Sequence, residues 1–104
     1  MRRQAFVMQL KKGYEEEYKK RHDSIWPELK ALLKENGVSD YSIFLDRDSG
    51  RLFAFQKSEG ESGSQDLGSS PIIQKWWAYM ADIMDTNEDN SPVSLPLEEV
   101  FHMD

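Results

Sequence analysis

Tyr14, Tyr18 and His22 recur every four residues in the first third of the chain. On a helix they follow one stripe with a small drift, and Ile25, Leu29 and Leu32 continue it toward the core. His22 is one of 2 histidines. With an ordinary pKa of about 6.5, an imidazole gives and takes protons near neutrality without special tuning. A phenol one helical turn earlier, at Tyr18, can bind the same hydroxyl on which the imidazole acts. A histidine at this position can equally be a satisfied residue at the core boundary. Lys19, Lys20 and Arg21 would depress its pKa, whereas Asp23 and a helix C-terminus would raise it, so the sequence leaves the direction open. His102, near the chain end, has no such company and reads as a strand-surface residue.

The adjacent pair Trp76 and Trp77 sits in the run IIQKWWAYM, residues 72–80. At about 100° per residue, two neighbouring indoles do not share one narrow seam, so at least one is expected to line a concave surface or an interface. An indole is a flat, rigid apolar plate with one N–H donor, suited to lie under the C–H face of a sugar ring. The other reading is a helix buried on two sides, with one indole in the core and one in a contact between subunits.

These residues need elements to hold them. Residues 4–10 (QAFVMQL) place Phe6, Met8 and Leu10 on one face at period two, a strand. Residues 13–36 read as helical and stop at Gly37, with a break at residues 22–24. There Asp23 or Ser24 can cap a second piece that carries Pro27 in its first turn. Residues 41–46 and 51–57 are two strands joined by the hairpin signal Arg47-Asp48-Ser49-Gly50. Residues 59–69 (EGESGSQDLGS) are rich in Gly and Ser and read as a loop. Ser70-Pro71 then opens a helix through Met84, as N-cap and first helical residue. After a polar stretch, residues 97–103 read as a last strand. The order is β-α-β-β-α-β, an α+β, ferredoxin-like arrangement in which one antiparallel sheet carries both helices on one face.

Composition narrows the choice further. A chain of 104 residues with no internal repeat suits a single domain, residues 1–104. Leu, Ile, Val and Phe make up only 23 of those 104 residues, so the core is thin. Together with the uncovered sheet face, this predicts a homodimer. The net charge is -6, with 7 acidic residues and no Lys or Arg between Asp82 and Asp104, which argues against nucleic acid as a partner. With 0 cysteines, a disulfide framework, a thiol nucleophile and cysteine-ligated zinc are excluded. No stretch reaches signal-peptide or membrane-spanning length, so no membrane partner and a cytoplasmic address are expected. Asp85, Asn87 and Asp89 imitate the start of a calcium loop, but Asn90 replaces its turn glycine and Pro96 its final Glu. No Gly-rich phosphate loop and no spacing of metal ligands occurs, so neither a cofactor nor a metal is expected.

Several blocks together resemble the L-rhamnose mutarotase family. They are Ala5-Phe6-Val7-Met8-Gln9, Glu16-Glu17-Tyr18-Lys19-Lys20-Arg21-His22, Ile25-Trp26-Pro27-Glu28-Leu29, Trp76-Trp77-Ala78-Tyr79-Met80, Asp89-Asn90-Ser91-Pro92-Val93-Ser94 and the closing Glu99-Val100-Phe101. The resemblance runs nearly end to end. It implies a dimeric ferredoxin-like protein of the α/β-barrel type that interconverts the α and β anomers of L-rhamnose. It also implies that His22 is the proton donor and that Tyr18, Tyr41, Trp76 and Trp77 bind the sugar. The departure lies at residues 59–69, where the family more often has a less glycine-rich segment with an aromatic residue.

The implied reaction is modest. A proton is placed on the ring oxygen and one is removed from the anomeric hydroxyl; the ring opens to an aldehyde, the C1–C2 bond rotates, and the ring closes on the other face. One group of intermediate pKa, with tyrosines or water as relay, supplies the roughly 10²–10⁴-fold expected of acid–base help. Two other classes share the element order: small monooxygenases with a flat ligand on the Trp pair, and non-catalytic ligand-binding barrels.

Overall fold

The computed structural model describes residues 2–60 and 63–104. In chain order the elements are β1 (Arg2–Gln9), α1 (Glu15–Asp23), α2 (Pro27–Glu35), β2 (Val38–Asp46), β3 (Arg51–Ser58), a 3-10 turn (Ser64–Asp66), α3 (Pro71–Met80) and β4 (Ser94–Leu97). The sheet order is β2-β3-β1-β4 and each neighbouring pair is antiparallel. This is the ferredoxin-like α+β arrangement that the element order predicts.

Period-two alternation assigns the two faces of the sheet. Phe6 and Met8 of β1 lie opposite Ala54 and Leu52 of β3, and all four are buried in one cluster with Leu29 of α2 and with Ile73, Trp76 and Trp77 of α3. The helices therefore cover this face. On the other face the register carries Phe44 to Phe53, Phe53 to Val7, Val7 to Leu95 and Ala5 to Leu97. That stripe is apolar and open: Phe44 is 61% and Leu95 is 67% exposed. No described helix is long and apolar enough to cross a membrane.

Proline sets both helix starts as expected, but side chains do not cap them. Trp26 is the extended N-cap residue before Pro27, so neither Asp23 nor Ser24 fills that place, and Ser70 precedes Pro71 without a side-chain cap bond. A fixed proline φ at the first helical position orders the turn without a cap. Gly37 and Gly50 take left-handed φ values of 79° and 75°, ending α2 and the β2–β3 turn. In that turn Asp46 accepts from Asp48 N at 3.2 Å and from Ser49 Oγ at 2.9 Å. The hairpin lies at Arg47-Asp48-Ser49-Gly50, between the end of β2 and the start of β3.

The last strand differs from the sequence reading. It spans Ser94–Leu97 rather than residues 97–103, pairing from Met8↔Ser94 to Ala5↔Leu97. Continuing this ladder brings residue 99 to Arg3, whose guanidinium donates to Glu99 at 2.8 Å, and β1 starts one residue before that, at Arg2. The strand thus ends at Leu97 while β1 runs on to Arg2, and past Ala5 the two chains are joined by the Arg3–Glu99 side-chain pair. His102 consequently lies outside any strand and is exposed, bonded to the Asp104 carboxylate at 2.8 Å.

One irregularity matters for the cavity described next. The β2–β3 register shifts between Ser39 and Ser42, so that Asp40 and Tyr41 together oppose Gln56. Asp40 takes φ 49°, the left-handed conformation of a bulge residue. The bulge re-phases the strand. Val38 and Tyr41, three positions apart, both face the helices, and Ile43 and Leu45 follow on the same side.

Candidate active site

Between the helix-covered sheet face and the helices lies a cavity of about 690 Å³. That is the size of a small-molecule site. All five residues singled out in the sequence line it: Tyr18 and His22 from α1, Tyr41 from β2, and Trp76 and Trp77 from α3. The tyrosine at position 14, the third member of the helical stripe, is exposed instead. Tyr14 precedes the first residue of α1, so its side chain leaves the stripe.

The His22 ring stacks on Tyr18 with centroids 4.3 Å apart and meets Trp76 edge-on at 5.4 Å. Its Nδ1 lies 3.2 Å from the Tyr18 carbonyl oxygen. A carbonyl accepts and cannot donate, so Nδ1 carries the hydrogen and the neutral ring keeps its lone pair on Nε2. Nε2 has no hydrogen-bond partner among the described residues, and no described buried side-chain nitrogen or oxygen is left unsatisfied, so Nε2 is accessible on a ring that lines the cavity. Burial lowers the His22 pKa from 6.5, outweighing the Tyr18 carbonyl and Asp23, which raise it. At neutral pH this ring is a neutral base.

The phenols behave in the opposite sense. Burial raises the pKa of Tyr18, and that of Tyr41 in spite of the Ser64 hydroxyl, so both stay protonated. Tyr18 is buried to 8% exposure, yet its hydroxyl is not sealed, by the same accounting that applies to Nε2. The cavity thus combines one lone-pair base with two phenolic O–H groups, enough to exchange protons with a polyhydroxylated ligand.

Both indoles are buried to 8% exposure and both also line the cavity, so core and concave surface are not alternatives for this pair. Trp76 is boxed by Trp26 at 5.1 Å and Tyr79 at 5.6 Å. Trp77 faces the segment after β3: a Cβ on Gly68 would come within 2.9 Å of its ring. Glycine there lets the backbone approach the indole closely, and Gln74 Nε2 holds the Gly68 carbonyl at 2.8 Å. Of the loop expected at residues 59–69, residues 61 and 62 lie outside the described residues. Its second half, far from loose, packs on Trp77 and forms a 3-10 turn.

Two groups of residues were not singled out from sequence. Arg21, nearly buried, donates to Glu17 at 2.8 Å, to Asp82 at 2.9 and 3.3 Å and to the Tyr79 carbonyl at 2.7 Å, and lies over the Tyr79 ring. It ties the end of α1, and so His22, to the end of α3. Its signal was the Glu17–Arg21 spacing of four, with the cross-helix partner unseen. Ser64 lines the cavity and Gln56 lies behind it, fully buried. Their signal was a glutamine on the core-facing side of a strand, in phase with Leu52 and Ala54. No three His, Cys, Asp or Glu side chains among the described residues gather to hold a metal ion.

Fold and cavity together define a small ferredoxin-like α+β protein whose helix-covered sheet face encloses an aromatic, hydroxyl-lined site around one imidazole. The sequence profile of L-rhamnose mutarotase matches residues 3–103. The L-rhamnose mutarotase of Bacteroides thetaiotaomicron is 71% identical over 104 residues, covering 100% of both chains. That of Phocaeicola vulgatus is 64% identical, again over 100% of both. The crystal structure of an L-rhamnose mutarotase from Formosa agariphila superposes with a TM-score of 0.90 at 58% identity, covering 100% of both chains. The chain belongs to the L-rhamnose mutarotase family.

Proposed function

We propose that this chain is an isomerase that interconverts the α and β anomers of L-rhamnose by acid/base-catalysed opening and closure of the ring. The observation that carries the mechanism is the His22 ring, with Nδ1 tied to the Tyr18 carbonyl and Nε2 turned to the cavity. Nε2 takes the proton of the anomeric hydroxyl as the ring opens and returns it after the C1–C2 bond has rotated. Tyr18 and Tyr41 hold sugar hydroxyls, and Trp76 and Trp77 form the apolar floor. A 6-deoxy sugar suits such a floor because its methyl group needs no hydrogen-bond partner.

The reading includes a cytoplasmic, single-domain homodimer that works without a cofactor. Its dimer contact is the outer face of the sheet, where Phe44, Phe55, Leu95 and Leu97 form an open apolar patch of the kind that marks a protein contact. The test is exchange between the anomeric proton resonances of L-rhamnose by saturation-transfer NMR, with enzyme in catalytic amount. His22→Ala is expected to lose about 10²–10⁴-fold while remaining folded. Exchange at the parent rate by folded His22→Ala would remove the imidazole from the mechanism.

A further inference from the structure

Gln56 is a polar residue in the middle of a thin core, 2% exposed, and Ser64 beside it is 6% exposed. The two make a reciprocal pair: Ser64 N donates to Gln56 Oε1 at 2.8 Å, and Gln56 Nε2 donates to Ser64 Oγ at 2.8 Å. A backbone N–H can only donate, so this contact fixes which end of the amide is oxygen and places Nε2 on the serine hydroxyl. Ser64 Oγ in turn lies 3.5 Å from Tyr41 Oη. Gly63 makes the arrangement possible, since a Cβ there would collide with Gln56 Oε1 and Gln4 Oε1.

The chain of contacts has a direction. A hydroxyl that accepts from an amide N–H becomes a stronger donor, because hydrogen bonds in series polarise one another. With that hydrogen on the Tyr41 oxygen, the phenol's own hydrogen would be left for the cavity. The 3.5 Å link is long for O–H···O, and links of this kind tighten when the outer hydroxyl engages substrate. Burying two polar groups and requiring a glycine at 63 is a costly way to fill core volume that an aliphatic pair would fill better. It is a reasonable way to aim one proton.

We propose that Gln56 and Ser64 are positioning residues that set the polarity of Tyr41, making its phenol the hydrogen donor that answers the His22 base. The proposal rests on the mutarotase reading and specifies its second proton. In ring opening the O1–H proton passes to His22 Nε2 as the C1=O1 bond forms. The C1–O5 bond breaks, and O5 takes the hydrogen of Tyr41. On closure at the other face O5 returns that hydrogen to Tyr41 and His22 returns its proton to O1, so both residues are regenerated. The positive charge gained by His22 and the negative charge gained by Tyr41 arise together, and the enclosed site never carries either alone.

The experiment is a double-mutant cycle in anomer exchange, using Ser64→Ala, Tyr41→Phe and the pair, with circular dichroism confirming the fold. Ser64→Ala is expected to lower kcat by about fivefold with KM little changed, the effect of one hydrogen bond. In the Tyr41→Phe background it should have no further effect, and Ser64→Thr, which keeps the hydroxyl, should restore kcat. If Ser64→Ala does not fold, Gln56→Met serves in its place, keeping volume while removing the amide donor. Additive losses, or a rate equal to or above the parent's, overturn the polarity: an unimpaired rate means that Tyr41 donates to Ser64 rather than to the sugar. A parent that fails to exchange L-rhamnose anomers overturns the function and the polarity together; a competent parent with an additive cycle overturns the polarity alone.

Discussion

The two faces of the sheet both carry aromatic and aliphatic side chains, and β2 shows how differently they are surrounded. Inward, Tyr41, Ile43 and Leu45 line the cavity; outward, Ser42, Phe44 and Asp46 look away from the helices. The cavity that Tyr41 lines also holds an imidazole, a second phenol and a serine hydroxyl, with the imidazole Nδ1 tied to the Tyr18 carbonyl. Around Phe44 stands Phe55, ring to ring at 5.8 Å, in a patch continued by Leu95 and Leu97. Aromatic content does not distinguish a binding site from an interface; oriented polar groups do. A wall of indoles with fixed donors and one base selects a hydroxylated small molecule, whereas a flat apolar face without them suits another apolar face.

The largest expected effect separates the faces outright. Phe44→Asp combined with Leu95→Asp places two charges in the outer patch and should convert the proposed dimer to monomer in light scattering at micromolar concentration. Anomer exchange per chain should stay within about twofold of the parent, as for sites that share no partner. A monomer that has lost exchange would mean that the partner subunit completes the cavity, and an unchanged dimer would mean that the contact lies elsewhere.

A smaller effect addresses the bulge that keeps the faces apart. Asp40 holds φ 49°, and its carboxylate lies 3.3 Å from Lys57 Nζ in an exposed pair. Asp40→Val puts a β-branched side chain into the left-handed region, which should cost about 1–2 kcal/mol in denaturant unfolding. It should also lower kcat, because the straight ladder that competes with the bulge turns Tyr41 outward. Asp40→Gly relieves the conformation and loses only an exposed ion pair, so its stability should lie within about 0.5 kcal/mol of the parent. If valine and glycine behave alike, the bulge does not depend on that φ.

Much of this arrangement is legible in the sequence because it is periodic or punctuated. The inward Phe6-Met8-Leu10 alternation, the turn ending at Gly50 and the prolines at 27 and 71 are local signals, and each fixes its element within a few residues. The four-residue spacing of Tyr18 and His22 likewise brings their rings together without help from the rest of the chain. What the sequence hides is relational. The bulge at Asp40 exists only against Gln56 of the neighbouring strand, and β4 stops at Leu97 although β1 runs on to Arg2. Of the strand expected at residues 97–103, Leu97 alone joins the ladder. The Gln56–Ser64 pair joins a strand to a loop whose glycines look like disorder until Trp77 and Gln4 are seen beside them. The Trp pair is ambiguous in the sequence for the same reason, since a cavity wall is core on one side and surface on the other.

The smallest effect is a displacement on the pH axis, and it tests whether the inward face is as dry as its geometry implies. Burial holds the folded-state pKa of His22 below 6.5, against the opposing pull of the Tyr18 carbonyl and Asp23. The acid limb of kcat/KM, which reports the free enzyme, should therefore lie below pH 6.5, with the neutral imidazole as the active form above it. Stability follows the same sign. Between the depressed folded value and the ordinary unfolded one, the unfolded chain binds more protons. The contribution is thus complete above pH 6.5 and is lost as pH falls through the folded pKa. His22→Asn should flatten that slope in denaturant unfolding, whereas the outer-face double variant should keep the parent's acid limb. A limb at or above pH 6.5 would mean that solvent or an acidic neighbour stabilises the imidazolium, and the enclosed base on which the inward face depends would not exist.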